Sequence, residues 1–230
     1  MALRSSSASL SIDPCVRGYA VADKRLIYFA DPMCSWCYGF APVVSELARH
    51  FEDRLPLTLV MGGLRAGNRR PMSASDRDAI RQHWKHVAEA SGQAFDFSFF
   101  DREGFVYDTE PACRAVVTMR LLNCNLALSY MERIQQAFYA ENRDVTSSGV
   151  LSSLAEEAGV NGDRFETEMQ SNEARNATFR DFLMAQEAGV RGFPTLIAGS
   201  DTSGYALVTS GYRPIEGMVE ALERWLAAAQ

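Results

Sequence analysis

The sequence predicts an α/β fold in which a long helical segment interrupts a small sheet-forming unit. A β-prone run at residues 26–30 leads through two cysteines into an amphipathic helix that apolar spacing carries to about residue 51. From about residue 73 to 188 the apolar residues recur at helical spacing. A proline-led β-prone run begins at Pro194, and an amphipathic helix expected from Pro214 follows. The expected order is therefore β–α–β, a helical insertion, and β–β–α.

Cys34 and Cys37 stand three positions apart where the first strand meets the first helix. The first turn of a helix offers unpaired N–H groups and the positive end of the helix dipole, so we expect Cys34 there to react as a thiolate. Cys37 lies one turn further along the same face, more buried and within reach of a disulfide with Cys34. The pair is typical of a thioredoxin-like redox site, with Cys34 as nucleophile and Cys37 as resolving thiol.

Three segments around this pair are expected to contact substrate. Ser35 and Trp36 lie between the cysteines, and the Ser35 hydroxyl can donate a hydrogen bond to the Cys34 sulfur. Pro194 opens a strand, a position that suits a residue without an N–H group. In a thioredoxin-like fold this proline is cis and faces the cysteines, which leaves the backbone of Phe193 free to pair with an extended substrate. We therefore expect substrate contacts from Ser35, Trp36, Phe193, cis Pro194 and Thr195, with an ordinary trans proline as the alternative.

The runs CSWCYGF at 34–40 and GVRGFPT at 189–195 resemble the DsbA-like family of thiol–disulfide oxidoreductases. The resemblance covers most of the chain beyond about residue 25 and is closest to a cytosolic branch of predicted disulfide isomerases. The family is also similar to 2-hydroxychromene-2-carboxylate isomerases and kappa-class glutathione transferases, which usually carry serine at the first cysteine position. Cys34 therefore favours redox chemistry. Tyr28 stands where DsbA carries an acidic residue. Asp31 is nearer and is a candidate to tune Cys34, but a loop acid beside a strand is more often solvated, and we expect that here.

The resemblance implies a thioredoxin fold with an inserted helical domain. A bare thioredoxin fold needs only about half of the 230 residues present, so the length agrees with an insertion. We expect residues 25–65 and 189–230 to form the thioredoxin-like domain and residues 66–188 the helical domain. Residues 1–24 are expected to be a flexible tail.

Composition limits the partners and the compartment. A net charge of −6 without a long basic block argues against nucleic acid, and no apolar run approaches the roughly 18 residues of a membrane helix. The N-terminal segment lacks the apolar core of a secretory signal, which favours the cytoplasm, where thiols are mostly reduced. Of five cysteines, Cys113 and Cys124 are expected to pack as small apolar residues, and Cys15 lies in the tail.

The helical segment carries local signals but no catalytic pattern. Ser75 with Asp78 fits a capping box, and residues 165–183 belong to one long or broken helix ended by Gly189. The phenylalanines of residues 95–100 are expected in the core. The remaining strands are expected at residues 57–61, 195–198 and 206–209.

The residues predict a thiol–disulfide oxidoreductase, a reductase or isomerase of disulfides in proteins or small thiols. No cofactor or metal is expected; glutathione or another thiol is the expected co-substrate. Arg65, in a glycine-rich loop, is a candidate contact for an anionic thiol such as glutathione. One alternative is a glutathione-dependent isomerase or transferase. Another is a metal-binding or interaction protein that uses both cysteines with His83 and His86. The oligomeric state is left open.

Overall fold

A computed structural model describes residues 24–228. The tail expected at residues 1–24 lies, except for Lys24, outside the described residues. Eight α-helices surround a four-stranded sheet in the described part of the chain. The helices are α1 Ser35–Phe51, α2 Ala74–Ser91, α3 Glu110–Leu122, α4 Ala127–Tyr139, α5 Ser148–Glu157, α6 Gly162–Met169, α7 Asn172–Glu187 and α8 Met218–Ala228. No helix among residues 24–228 is both long and apolar enough to span a membrane.

The sheet is mixed, with strands in the order β2-β1-β3-β4. The strands are β1 Arg25–Ala30, β2 Leu57–Met61, β3 Thr195–Ser200 and β4 Gly204–Ser210. β1 pairs in parallel with β2 and antiparallel with β3, and β4 forms an antiparallel edge on β3. The predicted order β–α–β, helices, β–β–α is therefore the observed order.

β1 is buried on both faces, which explains its continuous apolar sequence. Successive side chains of a strand point to opposite faces. Leu26 and Tyr28 belong to the larger core, which includes α1, whereas Ile27 and Phe29 pack in a smaller core with Ala185 of α7. α7 thus packs against the sheet although its sequence lies within the predicted insertion. The domain boundaries themselves stay a prediction.

An aromatic cluster around Trp84 joins α2 to α4. The Trp84 ring centroid lies 4.9 Å from that of Phe99, 4.7 Å from that of Phe100 and 4.9 Å from that of Tyr139. Phe99 and Phe100 are buried as expected. The cluster lies close to the segment that carries the cysteine pair. The hydroxyl of Tyr139, a member of the cluster, lies 3.4 Å from the hydroxyl of Tyr107, which is beside that segment.

Two predicted helix starts were wrong, those of α2 and α8, whereas the long or broken helix expected over residues 165–183 is observed in its broken form. Ser73 and Asp76, rather than Ser75 and Asp78, form the capping box of α2. Both pairs have the same spacing, but the hydrogen bond of 3.0 Å from the Met72 N–H to the Phe105 carbonyl ends the preceding loop just before Ser73. The segment 165–183 is split because the Ser171 hydroxyl caps a new helix, α7. The last helix begins at Met218, after a turn at Gly217 with φ of 74°.

Candidate active site

Cys34 is the N-cap residue of α1, one position before the predicted first turn, with φ −93° and ψ 115°. Its N–H donates to the Asp31 carbonyl at 3.0 Å, and its own carbonyl accepts from the Tyr38 N–H at 3.0 Å. The Cys34 sulfur donates to the Phe193 carbonyl oxygen at 3.5 Å. The residue is 6% exposed, so its sulfur is set back from the surface beside Phe193.

Cys37 lies one turn further into α1 and is fully buried. Its sulfur is in hydrogen-bond contact with Cys34 and accepts the Asp31 backbone N–H. Burial, and then the neighbouring Cys34, raise the pKa of the Cys37 thiol well above its ordinary value. Both cysteines are free thiols in the structure. The structure therefore brings the predicted pair together, with an outer sulfur beside Phe193 and an inner sulfur held protonated.

The Phe193–Pro194 segment borders the pair. The Phe193–Pro194 peptide bond is cis, and the Phe193 carbonyl faces Cys34. The Phe193 ring covers Gly62, where a Cβ atom would come within 1.9 Å of it. Thr195 is buried, and its hydroxyl donates to the Gly192 carbonyl at 2.8 Å. Thr195 therefore braces the loop, while Phe193 borders Cys34.

The residues between the cysteines differ in their surroundings. Ser35 is 6% exposed, and within residues 24–228 its hydroxyl makes no hydrogen bond to the Cys34 sulfur, contrary to the expectation. Trp36 is partly exposed and contacts two rings, His83 edge-on at 5.7 Å and Tyr212 at 5.6 Å between centroids. No group of three or more His, Cys, Asp or Glu side chains in the described part of the chain is arranged to hold a metal ion. His83 packs against Trp36.

Asp31 is fully buried, so the expectation of a solvated loop acid was wrong. Its Oδ1 accepts the Met33 N–H at 2.8 Å and its Oδ2 accepts the Leu64 N–H at 2.7 Å. The Cys113 thiol donates to Oδ2 at 3.5 Å. Burial raises the pKa of the Asp31 carboxyl, although these hydrogen bonds act against the shift. Asp31 therefore connects the cysteine motif with α3 and with the loop after β2.

The surroundings of Cys113, Cys124 and Tyr28 differ from what the sequence predicts. Cys113 is buried as expected, but it bonds to Asp31 rather than only filling space. Cys124 is partly exposed, so its expected packing as a small apolar residue was wrong. The Tyr28 hydroxyl is buried without a regular hydrogen-bond partner among the described residues, and it lies against the Cys37 thiol. The resemblance singled out Tyr28, which stands where DsbA carries an acidic residue, but the β-prone pattern of the strand itself gave no signal for the contact with Cys37.

Sheet order, the cysteine pair at a helix start and the cis proline beside it together define a thioredoxin-like protein. The chain belongs to the DSBA-like thioredoxin domain family, whose profile matches residues 25–223. The predicted resemblance to DsbA-like proteins and the α/β thioredoxin-like fold are both confirmed.

Solved structures agree with this assignment. A candidate protein disulfide isomerase from Nitrosomonas europaea has 38% sequence identity and a TM-score of 0.84, over 90% of this chain and 99% of that chain. The cytosolic disulfide reductase DsbM from Pseudomonas aeruginosa has 26% identity and a TM-score of 0.74, over 89% and 99% of the two chains. DsbM has also been solved with glutathione. These likenesses support a thiol–disulfide oxidoreductase.

Curated relatives are more distant. The ClpXP adapter protein SpxH from Bacillus subtilis is 22% identical over 181 residues, which cover 78% of this chain and 59% of that protein. The SpxH of Halalkalibacterium halodurans is 22% identical over 203 residues, which cover 86% of this chain and 66% of that protein. The chain therefore spans less than two thirds of the length of these relatives.

Proposed function

We propose that this protein is a thiol–disulfide oxidoreductase that reduces or isomerises disulfides, with Cys34 as nucleophile and Cys37 as resolving thiol. The observation that carries the proposal is the placement of the two sulfurs. Cys34 Sγ lies 3.5 Å from the Phe193 carbonyl oxygen, and the fully buried Cys37 is in contact behind it. Such a pair suits thiol–disulfide exchange, in which one sulfur meets the substrate and the other completes the reaction.

The reaction balances as two exchanges. The Cys34 thiolate attacks a substrate disulfide, the substrate S–S bond breaks, and one substrate sulfur leaves as a thiolate that takes up a proton. Cys37 then loses its proton and attacks Cys34 Sγ, which releases the second substrate thiol and leaves a Cys34–Cys37 disulfide. The substrate gains two electrons, and the protein is oxidised by two. In isomerisation, a second substrate thiol attacks the mixed disulfide before Cys37 does, so no net electrons move.

The surroundings of Cys34 support a substrate-binding role for the neighbouring residues. Trp36 and Phe193 are partly exposed on either side of Cys34 and offer apolar surface. The Phe193 carbonyl, which accepts from Cys34 in the free protein, is available to an extended substrate backbone once the sulfur has reacted. Ser35, Pro194 and Thr195 are further proposed substrate contacts, and the Thr195 hydroxyl also holds the loop by donating to the Gly192 carbonyl. Disulfide-containing proteins and small thiols are the proposed substrates.

We place the reaction in the cytoplasm, with glutathione or another small thiol as the source of electrons. DsbM, which is similar over most of its length, is described as a cytosolic disulfide reductase and has been solved with glutathione. In a reducing compartment the thiol pool keeps the pair in its dithiol form, which drives reduction and isomerisation rather than oxidation.

Turnover of insulin disulfides with dithiothreitol tests the assignment. Cys34→Ser should lower turnover by at least about 100-fold because the nucleophile is lost. Cys37→Ser should slow turnover, and when it is mixed with insulin in the absence of dithiothreitol it should accumulate a mixed disulfide at Cys34, visible as a mass adduct. Cys124→Ser, at a partly exposed cysteine outside the site, is the matched control and should keep wild-type turnover.

The same variants separate the alternative function. In a glutathione-dependent isomerase or transferase, Cys37→Ser would keep conjugation or isomerisation activity, because no resolving thiol takes part. Undiminished turnover in Cys34→Ser would remove the redox proposal altogether.

A further inference from the structure

The loop that follows β2 is fixed to the cysteine motif by its backbone. The Leu64 N–H donates to Asp31 Oδ2 at 2.7 Å, and the Arg65 N–H donates to Thr109 Oγ1 at 3.1 Å. Asp31 lies three residues before Cys34, and its carboxylate is fully buried. The position of Arg65 is therefore coupled to the position of the nucleophile, although the loop itself is exposed.

The Arg65 side chain lies over an aromatic ring beside the motif. Its guanidinium carbon is 5.1 Å from the centroid of Tyr107, a cation–π distance. The Tyr107 hydroxyl donates to the Met33 carbonyl at 2.7 Å, directly before Cys34. One buried tyrosine thus connects the cation to the backbone of the redox motif.

The Arg65 charge is available to a ligand. No carboxylate among residues 24–228 lies within ion-pair distance of it, whereas Arg120, for example, pairs with Asp181 at 2.8 Å. Asp76 is close enough to sense the Arg65 charge, but its Oδ2 is already bonded to the Ser73 N–H at 2.9 Å. Arg65 therefore presents a largely uncompensated positive charge.

Two neighbours complete the surface around this charge. Leu64 beside it is 44% exposed. Burial, the neighbouring His86 and Arg65 itself lower the pKa of His83, so His83, which contacts Trp36, is neutral at pH 7. The Arg65 charge therefore lies next to an exposed apolar side chain, Leu64, and within electrostatic reach of a neutral His83.

We propose that Arg65, positioned by Tyr107, binds a carboxylate of a small anionic thiol of the glutathione type while the sulfur of that thiol reacts at Cys34. This inference rests on the proposed function and adds the residue that recognises the anionic group of its electron donor. A guanidinium matches a carboxylate with two parallel N–H···O bonds, which fixes orientation as well as charge. Arg65 is thus a specificity residue for the donor thiol and takes no part in bond making.

The step that Arg65 assists balances with two molecules of the donor. The thiolate of the first attacks the Cys34–Cys37 disulfide at the Cys34 sulfur, and the Cys37 sulfur leaves and takes up a proton. The thiolate of the second attacks the donor sulfur of the mixed disulfide, and Cys34 leaves as a thiolate. Two donor thiols are oxidised to one disulfide, and the protein disulfide is reduced to a dithiol.

Rapid mixing of the oxidised protein with glutathione, or with its diethyl ester, tests the proposal. The ester keeps the thiol but masks both carboxylates, and the fluorescence of Trp36, between the two cysteines, reports reduction. For Arg65→Gln we expect the second-order rate constant with glutathione to fall roughly two- to fivefold, the range of one exposed charged contact to a carboxylate. The ratio of the glutathione rate to the ester rate should fall by the same factor.

Two variants control for charge and loop structure. Arg69→Gln removes an exposed cation from the same loop and should keep the wild-type ratio. Arg65→Lys keeps the charge but loses the planar guanidinium group that can form two parallel hydrogen bonds. It should give an intermediate ratio of the glutathione rate to the ester rate. Added salt should lower the glutathione preference of the wild type, because an exposed charge pair is screened.

An equal loss with both thiols in Arg65→Gln, or no loss at all, would overturn the role of Arg65. A wild type that reacts equally with glutathione and the ester would overturn it too. Neither result touches the proposed function, which insulin reduction with the uncharged donor dithiothreitol tests separately through Cys34→Ser.

Discussion

At the scale of single residues, the two cysteines differ in their access to solvent although they are one turn apart. Cys34 retains a small exposed fraction beside Phe193, and Cys37 has none. Burial keeps Cys37 in the thiol form at neutral pH, because a charged thiolate loses its hydration there. Cys37 therefore remains a protonated thiol until Cys34 has formed a mixed disulfide.

Alkylation kinetics test this difference. Iodoacetamide at pH 7 should modify Cys34 and leave Cys37 unmodified over the same period, as measured by peptide mass spectrometry. Because the pKa of Cys37 is raised, its thiolate fraction grows about tenfold for each pH unit below that pKa, so its labelling should appear only in alkaline solution. Comparable labelling of both cysteines at pH 7 would contradict the buried position of Cys37.

Tyr28 carries a buried hydroxyl without a regular partner, and such a group costs free energy of folding. Tyr28→Phe removes the hydroxyl and keeps the ring that packs on Phe40 at 5.9 Å between centroids. We expect the free energy of unfolding to rise by about 1 kcal/mol, measured by urea denaturation of the reduced protein. A loss of about 2 kcal/mol would mean that the contact with Cys37 is a strong hydrogen bond.

Asp31 predicts a pH dependence of stability. Its pKa is raised in the folded protein, so the folded state holds this proton more tightly than the unfolded chain does. The contribution of Asp31 to stability is therefore greatest below its ordinary pKa and declines as pH rises towards the raised value. Across this range the free energy of unfolding of the wild type minus that of Asp31→Asn, measured by urea unfolding, should fall as pH rises. A difference that grows with pH would contradict the raised pKa.

At the scale of secondary-structure elements, a buried ion pair joins α3, α7 and β2. Arg120 on α3 donates to both carboxylate oxygens of Asp181 on α7, at 2.9 and 2.8 Å, and to the Leu59 carbonyl. Asp181 also accepts the Met61 N–H at 2.8 Å. The pair therefore fixes α7, the helix that precedes Phe193 in the chain, against β2.

Removing one partner should cost far more than removing both. Arg120→Met leaves the Asp181 charge buried without its cation, and we expect a loss of about 3–5 kcal/mol in the free energy of unfolding. The double variant Arg120→Met with Asp181→Leu should recover most of that loss, because two apolar side chains need no compensation. The exposed pair Arg49 and Glu46 is the control, where Arg49→Met should leave the free energy of unfolding close to its wild-type value. Additive losses in the double variant would contradict this coupling.

The elements were predictable to different degrees. The first strand, the cysteine helix and the Pro194 strand follow from local patterns of residues close in sequence. The capping boxes of Ser73 and Ser75 are indistinguishable in sequence, and the contact of Met72 with Phe105 decides between them. Asp31 with Cys113 is a contact across 82 positions, so its burial could not be read from the neighbours of either residue.

At the scale of the whole molecule, the fold presents the cysteine pair on a thioredoxin-like sheet and surrounds it with helices. We propose that residues 25–65 and 189–230 form the redox unit and residues 66–188 the covering helical unit. α7 packs against the sheet, and its Asp181 accepts a hydrogen bond from β2. This helix therefore supports the redox unit, although its sequence lies within residues 66–188. The site therefore depends on contacts from both units.

A redox titration of the full chain in glutathione buffers, followed by peptide mapping without reduction, tests whether Cys34 and Cys37 form the redox pair of this protein. We predict a single two-electron transition, and at its oxidised end one disulfide that links Cys34 to Cys37. If both cysteines stayed reduced at every buffer ratio, or if the disulfide formed between other cysteines, the account of this site would be contradicted.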